Sequence, residues 1–405
     1  MIDLSFLKDS KDLSLYIHIP YCTKKCDYCD FYSIACTEPN EQLDRFFINL
    51  INEIQYITKL YRKPFITVYI GGGNPGLLTP SQLDHLTSAI FFHGRPQECS
   101  IEMNPESITA ERLRILKNRV SRLSIGVQSL KEENLKMLGR NSSREATLNG
   151  LHILDSFRDS FDLNIDLINN VPGQLPSDTL EDIDLIEQLL SPDHLSVYDL
   201  IVEEGTPLYS SILKDQSFEI DSNGNLDIET ADISNFLKKY GYSKYEVSSY
   251  AKIGKQCVHN KHYWEMRPYI GIGPSAASTL FHPTGVIRMK CKNNVQSYSE
   301  NRETFTNTLY TVEEVSANEL LEEIFIMGIR TVKGVDLSYI ERLFSCNMVS
   351  LIPDTLKRYK KQTDLEVVDD RFICATDTGM LKLNTILIDM FIELESIELS
   401  FLGGT

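Results

Sequence analysis

The chain has 405 residues, of which 42% are hydrophobic and 9% aromatic, and it carries a net charge of −17 at pH 7. This composition is typical of a globular protein with a sizeable core, and the length predicts two or three domains. The acidic balance argues against nucleic acid as a partner, and the lack of an apolar run of about 18 residues argues against direct membrane insertion.

Six apolar, β-rich segments follow one another in the first half of the chain, and amphipathic stretches separate them. Strands are predicted at 13–20, 66–73, 99–104, 122–128, 161–168 and 194–201. Helices are predicted at 40–60, 79–92, 109–118, 131–157 and 177–190, the second capped by Thr79 or Ser81. This alternation predicts an α/β fold with a parallel sheet. Because six units are fewer than the eight of a closed barrel, we expect a partial (β/α)6 TIM-like barrel.

Polar residues and glycines recur where these predicted strands end. They are Cys22 and the residues after it, Gly71 to Gly73, Glu102 with Asn104, Gln128, Asp166 and Tyr198. Folds built on parallel strands place their active sites at the carboxyl ends of the strands. Independent segments of the chain therefore point to one site on one face of the sheet.

The pattern changes after about residue 215. A Ser/Asn/Gly patch at 222–225 and a helix near 228–240 precede a segment rich in Tyr, His and Gly, and the remainder is predicted as helices at 312–330, 336–344, 351–362 and 384–396 with a hairpin turning at 369–370. We predict a core barrel in 1–215, an extension of the barrel in 216–305 and a C-terminal α+β, winged-helix-like domain in 306–405. Residues 311–405 contain 17 acidic and 9 basic side chains, which argues against duplex binding.

Three of the nine cysteines cluster in "YCTKKCDYCDFYS" as Cys22, Cys26 and Cys29, with C-x3-C-x2-C spacing. The other six lie far apart, unlike a secreted disulfide framework, so we expect a reducing cytoplasm. A structural zinc site would need a fourth ligand, such as His18 or Cys36, and it stays open as an alternative. An iron–sulfur cluster held by only three thiolates would leave one iron free to bind a substrate or cofactor.

This spacing, with an aromatic residue before the third cysteine, resembles the radical S-adenosylmethionine (SAM) superfamily. The resemblance implies a [4Fe–4S] cluster on Cys22, Cys26 and Cys29, with SAM on the open iron and an external electron donor. It also implies that a set of residues at the strand ends binds the cofactor. These are Tyr16, Tyr28, Gly72, Gly73, Asn74, Glu102, Gln128, Arg140 and Asp166.

Several longer segments, including "RLSIGVQSL", "HNKHYW" and "YIGIGPSAAS", resemble oxygen-independent coproporphyrinogen III oxidases and their relatives. The oxidases carry a fourth cysteine where this chain has Phe31, whereas the heme chaperones of the HemW type read C-D-F there and carry H-N-x-x-Y-W. The resemblance to the chaperones implies heme binding by His259, Asn260, Tyr263 and Trp264. A neutral imidazole can ligate heme iron, and Tyr and Trp offer flat apolar surface.

The resemblance therefore implies a radical SAM-fold heme chaperone that binds a [4Fe–4S] cluster, SAM and heme and delivers heme to an acceptor protein, as a monomer or a dimer. The alternative is an enzyme that decarboxylates coproporphyrinogen III to protoporphyrinogen IX, which the absence of a cysteine at Phe31 disfavours. The chain also departs from the family pattern. Gly76 replaces a serine, and Ala277 replaces a histidine.

Overall fold

The structure is a computed structural model that describes residues 2–36, 40–214, 218, 232–344, 349, 351–395 and 397–401. The strands are β1 (Ser14–Ile19), β2 (Tyr21–Cys22), β3 (Ile34–Ala35), β4 (Thr67–Gly72), β5 (Glu98–Met103), β6 (Arg122–Gln128), β7 (Asp162–Asn169), β8 (His194–Asp199), β9 (Ser243–Lys244), β10 (Ser249–Ala251), β11 (Tyr269–Ile272), β12 (Ala277–His282), β13 (Gly285–Cys291), β14 (Tyr310–Val315), β15 (Val335–Asp336), β16 (Leu365–Val368) and β17 (Phe372–Ala375).

The α-helices alternate with the strands in the first half of the chain and dominate its end. They are α1 (Glu41–Tyr61), α2 (Pro80–Ile90), α3 (Ala110–Leu116), α4 (Glu132–Met137), α5 (Arg144–Asp155), α6 (Pro176–Leu190), α7 (Pro207–Ile212), α8 (Ile233–Lys238), α9 (Val258–Trp264), α10 (Val295–Glu300), α11 (Ala317–Gly328), α12 (Leu337–Phe344), α13 (Pro353–Lys361), α14 (Asp377–Met380) and α15 (Leu383–Leu394). No helix among the described residues is long and apolar enough to span a bilayer.

One twelve-stranded sheet organises the molecule, in the order β14-β13-β12-β11-β1-β4-β5-β6-β7-β8-β10-β9. Its central strands β1 and β4 to β8 all run parallel. This is the six-unit partial barrel that the sequence predicts, and the α/β fold class is confirmed. β11 adds a seventh parallel strand beside β1, and antiparallel strands then extend both edges of the sheet.

The central strands are buried because helices cover their outer face. Leu15, Ile17 and Ile19 of β1 are fully buried, and they belong to a core that also takes in α1. The predicted cap of α2 is confirmed, since Thr79 and Gln82 form a reciprocal capping box. A second core joins α11, α12, α13 and α15.

The C-terminal segment differs from the prediction at its beginning. Residues 312–315 are not helical but belong to β14, which pairs with β13, and Ser316 then caps α11. The backbone hydrogen bonds with β13 favour a strand at 312–315, although the sequence pattern of these residues favours a helix. The hairpin is confirmed, with Asp369 and Asp370 both at positive φ in a tight turn between β16 and β17. The described part of the predicted 228–240 helix is α8, and the 222–225 patch lies outside the described residues.

A buried carboxyl group joins the first helix to the far edge of the sheet. Glu53 of α1 accepts hydrogen bonds from Tyr298 Oη at 2.6 Å and Tyr310 Oη at 2.8 Å. Burial raises the pKa of Glu53 to about 7, even though these hydrogen bonds favour the ionised form. The folded protein therefore retains a proton on this group over a pH range in which the unfolded chain has lost it.

Replacing Glu53 with Gln should remove one source of pH dependence from the folding stability. Because the folded-state pKa lies above the unfolded value of 4.5, wild type should lose stability relative to Glu53→Gln as the pH rises from 5 to 8. The relative loss should approach about 3 kcal/mol. Urea unfolding of both proteins across this pH range measures it, and parallel curves for the two proteins would contradict the assignment.

Candidate functional site

The three clustered cysteines lie on the loop that leaves β1. β2 and β3 pair in parallel at the neck of this loop, with Cys22 opposite Ala35, and Cys36 N donates to Cys22 O at 2.7 Å. Inside the loop, Cys29 N donates to Cys26 O at 3.3 Å. All three thiols line one cavity of about 360 Å³ at the carboxyl ends of the parallel strands.

Segments far along the chain also hold the cysteine loop in place. Asp27 N donates to Leu138 O at 3.0 Å, and Asp27 O accepts from Leu208 N at 2.9 Å. Lys24 Nζ donates to Gly139 O at 3.0 Å. These contacts tie the loop to the end of α4 and to α7, so the positions of the thiols depend on the folded barrel.

The chemistry of the donor set fits an iron–sulfur cluster. Burial raises the pKa of the Cys22 thiol to about 11, and burial also raises the pKa of Cys29. These thiols are therefore protonated near pH 7, and ligation to iron would displace their protons. Three thiols on one wall match the thiolate ligands that such clusters take. Among the described residues, no three His, Cys, Asp or Glu side chains are grouped to hold a single metal ion.

The glycine-rich segment after β4 packs directly against the cysteine loop. A Cβ atom on Gly73 would lie 2.5 Å from Tyr21 O and 3.0 Å from Cys22 Sγ. Gly72 has φ +112°, and a Cβ there would lie 2.7 Å from the His18 ring. Only glycine allows this close approach, and Gly72 and Gly73 both line the cavity.

Asn74, the next residue of the predicted cofactor set, does not line the cavity. Its side chain is buried outside the cavity lining, where Oδ1 accepts from Gly76 N at 3.0 Å and from Asn104 N at 3.2 Å. Asn74 therefore ties two loops together beneath the site. The hydroxyl of Ser107 fills the space next to Gly76, since a Cβ there would lie 2.2 Å from Ser107 Oγ.

Two partly buried carboxyl groups line the cavity, from strands on either side of β6. Glu102 of β5 accepts from Tyr69 Oη at 2.7 Å and from Gly72 N at 3.0 Å. Asp166 of β7 accepts from Ser124 Oγ at 2.8 Å and from Asn164 Nδ2 at 2.8 Å. Burial raises the pKa of Glu102 to about 7 and also raises the pKa of Asp166. These hydrogen bonds hold both carboxyl groups in place at the cavity.

Arg140 brings a partly buried positive charge close to the thiols. Its Nη2 donates to Gly126 O at 2.5 Å, its Nη1 lies 4.0 Å from Cys26 Sγ, and its Nε is buried without a partner in the described structure. Gln128 lines the same cavity at the end of β6, where a bulge and a φ of 70° turn the chain. A guanidinium at this position can form an ion pair with the carboxylate of a ligand, or it can offset the negative charge of thiolates.

Most of the predicted cofactor residues therefore share one cavity. Of the nine, Tyr28, Gly72, Gly73, Glu102, Gln128, Arg140 and Asp166 line it, whereas Asn74 does not and Tyr16 lies in an adjoining groove. Sequence reasoning missed the polar layer beneath them. This layer consists of Ser124, Asn164, His194 and Ser196, which also line the cavity. The alternation of residues along β6, β7 and β8 could have indicated it, because every second side chain of a strand faces the same side.

The "HNKHYW" segment forms α9 and closes the base of the barrel. His259 is only 1% exposed, and its Nδ1 lies 2.8 Å from Thr67 Oγ1 while its ring stacks on Tyr69 at 5.2 Å. Burial lowers the pKa of His259 to about 3, and its Nε2 has no hydrogen-bond partner in the described structure. Because Tyr69 donates to Glu102, this helix is connected to the cavity from below.

The four residues predicted to bind heme do not share a single surface. Asn260 lines the main cavity, Tyr263 lines the groove that holds Tyr16, and Trp264 lines a third pocket against the C-terminal segment. His259 is enclosed. The seven-residue helix α9 distributes these side chains around its axis, which the motif alone cannot reveal.

Comparison with known proteins agrees with this geometry. The radical SAM superfamily model matches residues 16–186, and the HemN C-terminal domain model matches residues 315–381. The heme chaperone HemW of Buchnera aphidicola subsp. Acyrthosiphon pisum is 33% identical over 80% of this chain and 84% of its own length. The chain belongs to the HemW family. Other HemW relatives come from Escherichia coli, at 37% identity over 68% of this chain and 72% of the relative, and from Lactococcus lactis, at 31% identity over 91% and 94%.

A solved structure shares the whole fold of this HemW family member. The coproporphyrinogen III oxidase HemN from Escherichia coli, described as a radical SAM enzyme, superposes with a TM-score of 0.75 over 96% of this chain and 93% of the oxidase. Its sequence is 21% identical. This likeness establishes the fold, because proteins at this level of identity can differ in activity.

Changing Gly73 to Ala should impair assembly of the iron site. The new methyl group would press on Tyr21 O and Cys22 Sγ, and moving these atoms aside should cost about 1–3 kcal/mol. We expect less iron and sulfide per chain than in wild type after anaerobic reconstitution. Gly126→Ala is the control, because its methyl group would meet mainly the flexible end of Gln128. Equal iron content in the two variants would contradict this account.

Proposed function

We propose that this protein binds heme and delivers it to acceptor proteins, with a [4Fe–4S] cluster on Cys22, Cys26 and Cys29 and SAM at the open iron. The main support is the similarity to heme chaperones HemW along most of the chain, 91% of it for the Lactococcus lactis relative. The cavity shared by three thiols and the polar strand-end residues supports the cofactor part. The acceptor and the electron donor stay unassigned, and the cytoplasm predicted from cysteine usage is the proposed place of action.

The chain's own residues would have distinct tasks in this site. When bound, the cluster and SAM supply one-electron chemistry at an iron without a protein ligand. Arg140 offsets negative charge beside Cys26, and Glu102 fixes the Gly72 amide and hence the glycine segment. Because Gly73 has no side chain, the glycine segment can pack directly against Cys22. The protein thus binds and orients the cofactors.

Phe31 favours heme carriage over the alternative oxidase function. This residue is 70% exposed, lines the cavity beside Cys29 and carries no atom that could bind metal. The resemblance places a cysteine here in the oxidases. Since the fold is common to HemN and this chain, the fold cannot separate the two functions, whereas this residue can.

The cluster assignment predicts a selective loss of iron. Cys22→Ala, Cys26→Ala and Cys29→Ala should each abolish most of the cluster absorption after anaerobic reconstitution, because a three-thiolate site has no spare ligand. Cys99→Ala is a matched control, since Cys99 is buried in the barrel core away from the cavity lining. Retention of a full cluster by any of the three variants would remove that cysteine from the ligand set.

Two parallel assays on the reconstituted protein test the function. We expect hemin titration to give a saturable Soret band, and coproporphyrinogen III incubated with SAM and a reductant to be left unconverted. The physical reason is that Phe31 offers a flat apolar surface where a fourth thiol would otherwise act. Conversion of coproporphyrinogen without heme binding would reverse the proposal in favour of the oxidase.

A further inference from the structure

A second concavity lies beside the main cavity, over β1, β11 and β12. It has a volume of about 590 Å³ and is bordered by the cysteine loop. Phe31 lines both spaces and therefore forms the partition between them. We call this concavity the Phe31 groove. The cofactor residues described above, other than Tyr16, do not line it.

Aromatic rings form the walls of the Phe31 groove. Tyr16, Tyr32, Tyr263 and Tyr269 line it together with Phe31. The rings of Tyr263 and Tyr269 meet edge to face, with centroids 4.5 Å apart. Phe31 is 70% exposed, and covering such a ring with an apolar ligand contributes favourably to binding. The walls therefore suit a flat, largely apolar molecule.

Two lysines at the groove form no ion pair with the residues that the structure describes. Lys25 and Lys290 are both exposed, and neither forms an ion pair within 4.0 Å in the described part of the chain. Asp30 is the one acidic side chain in the described lining of the groove. In a chain of net charge −17, two unpaired cations in one groove favour a ligand with two carboxylates.

The edge of the sheet leaves room inside the groove. Ala277 of β12 lies directly across from Lys290 of β13, and Ser275 precedes it in the lining. Only the methyl group of Ala277 projects at this position. A bulky side chain at this position would occupy space that the present sequence leaves to a ligand.

We propose that the Phe31 groove is the heme-binding site of this protein, with the ring system against Phe31 and Tyr263 and the two propionates at Lys25 and Lys290. This inference rests on the proposed heme-carrying function. It assigns Tyr263 of the "HNKHYW" helix to contact with the ligand, and it assigns His259 to a supporting position below. Because the groove and the main cavity are separate, heme and the cofactors can be bound together.

Hemin and hemin dimethyl ester, titrated into the reconstituted full chain, test the assignment. Lys25→Glu/Lys290→Glu should weaken hemin binding about tenfold or more, since both pairs between a lysine and a propionate are lost and the new carboxylates repel the propionates. The same variant should bind the ester, which lacks free carboxylates, as wild type does. Lys117→Glu/Lys357→Glu makes the same change in net charge at exposed positions outside the groove lining and should leave both titrations unchanged.

A second variant tests the space rather than the charge. Ala277→Trp should fill the groove and abolish binding of both hemin and the ester, while its iron and sulfide content stays at the wild-type level. If wild type binds no hemin, the proposed function itself fails. If wild type binds hemin and the lysine double variant binds hemin as tightly as wild type does, the function stands and the groove assignment is wrong. Undiminished hemin binding by a folded Ala277→Trp protein would also overturn the groove.

Discussion

A single buried carboxylate, that of Glu98, closes the base of the barrel. Its oxygens accept from Val258 N at 3.0 Å and from His259 N at 2.9 Å, and Arg122 Nε donates to it at 3.1 Å. Additional hydrogen bonds offset the cost of burying such an ion pair. The backbone amides of α9 satisfy the carboxylate, and Lys255 O accepts from Arg122 Nη2 at 2.8 Å, whereas Arg122 Nη1 is buried without a partner among the described residues. These contacts fix the helix beneath the strands.

The position of α9 then determines what its side chains can do. His259 is held under Tyr69, and Tyr69 holds Glu102, so the base of the barrel and the glycine segment beside the cysteines are joined by direct contacts. Tyr263 and Trp264 face two different concavities. Asn260 lines the main cavity, so the four residues of a motif that appears as one unit in the sequence have four separate surroundings in the fold. Its histidine is a neutral, enclosed group rather than an open ligand.

The barrel could be predicted from the sequence, because each of its strands is a separate apolar run that is followed by its own helix. That Cys22, Cys26 and Cys29 line one cavity could be predicted, because their spacing is local. The contact between Asn74 and Asn104 could not be predicted, because Asn104 follows another strand and the contact depends on the register of β4 and β5. The strand at 312–315 was missed for a similar reason, since only β13 makes that conformation favourable.

The space beside Gly76 has an evolutionary consequence. Ser107 Oγ lies where a side chain at position 76 would have to project, and this hydroxyl donates to Asn104 O at 2.7 Å. The hydroxyl of Ser107 thus fills the small space beside Gly76 from the opposite side. Placing a serine at 76 alone would put two side chains into room for one. Where a homologue has a side chain at position 76, its residue at position 107 should therefore be smaller than serine.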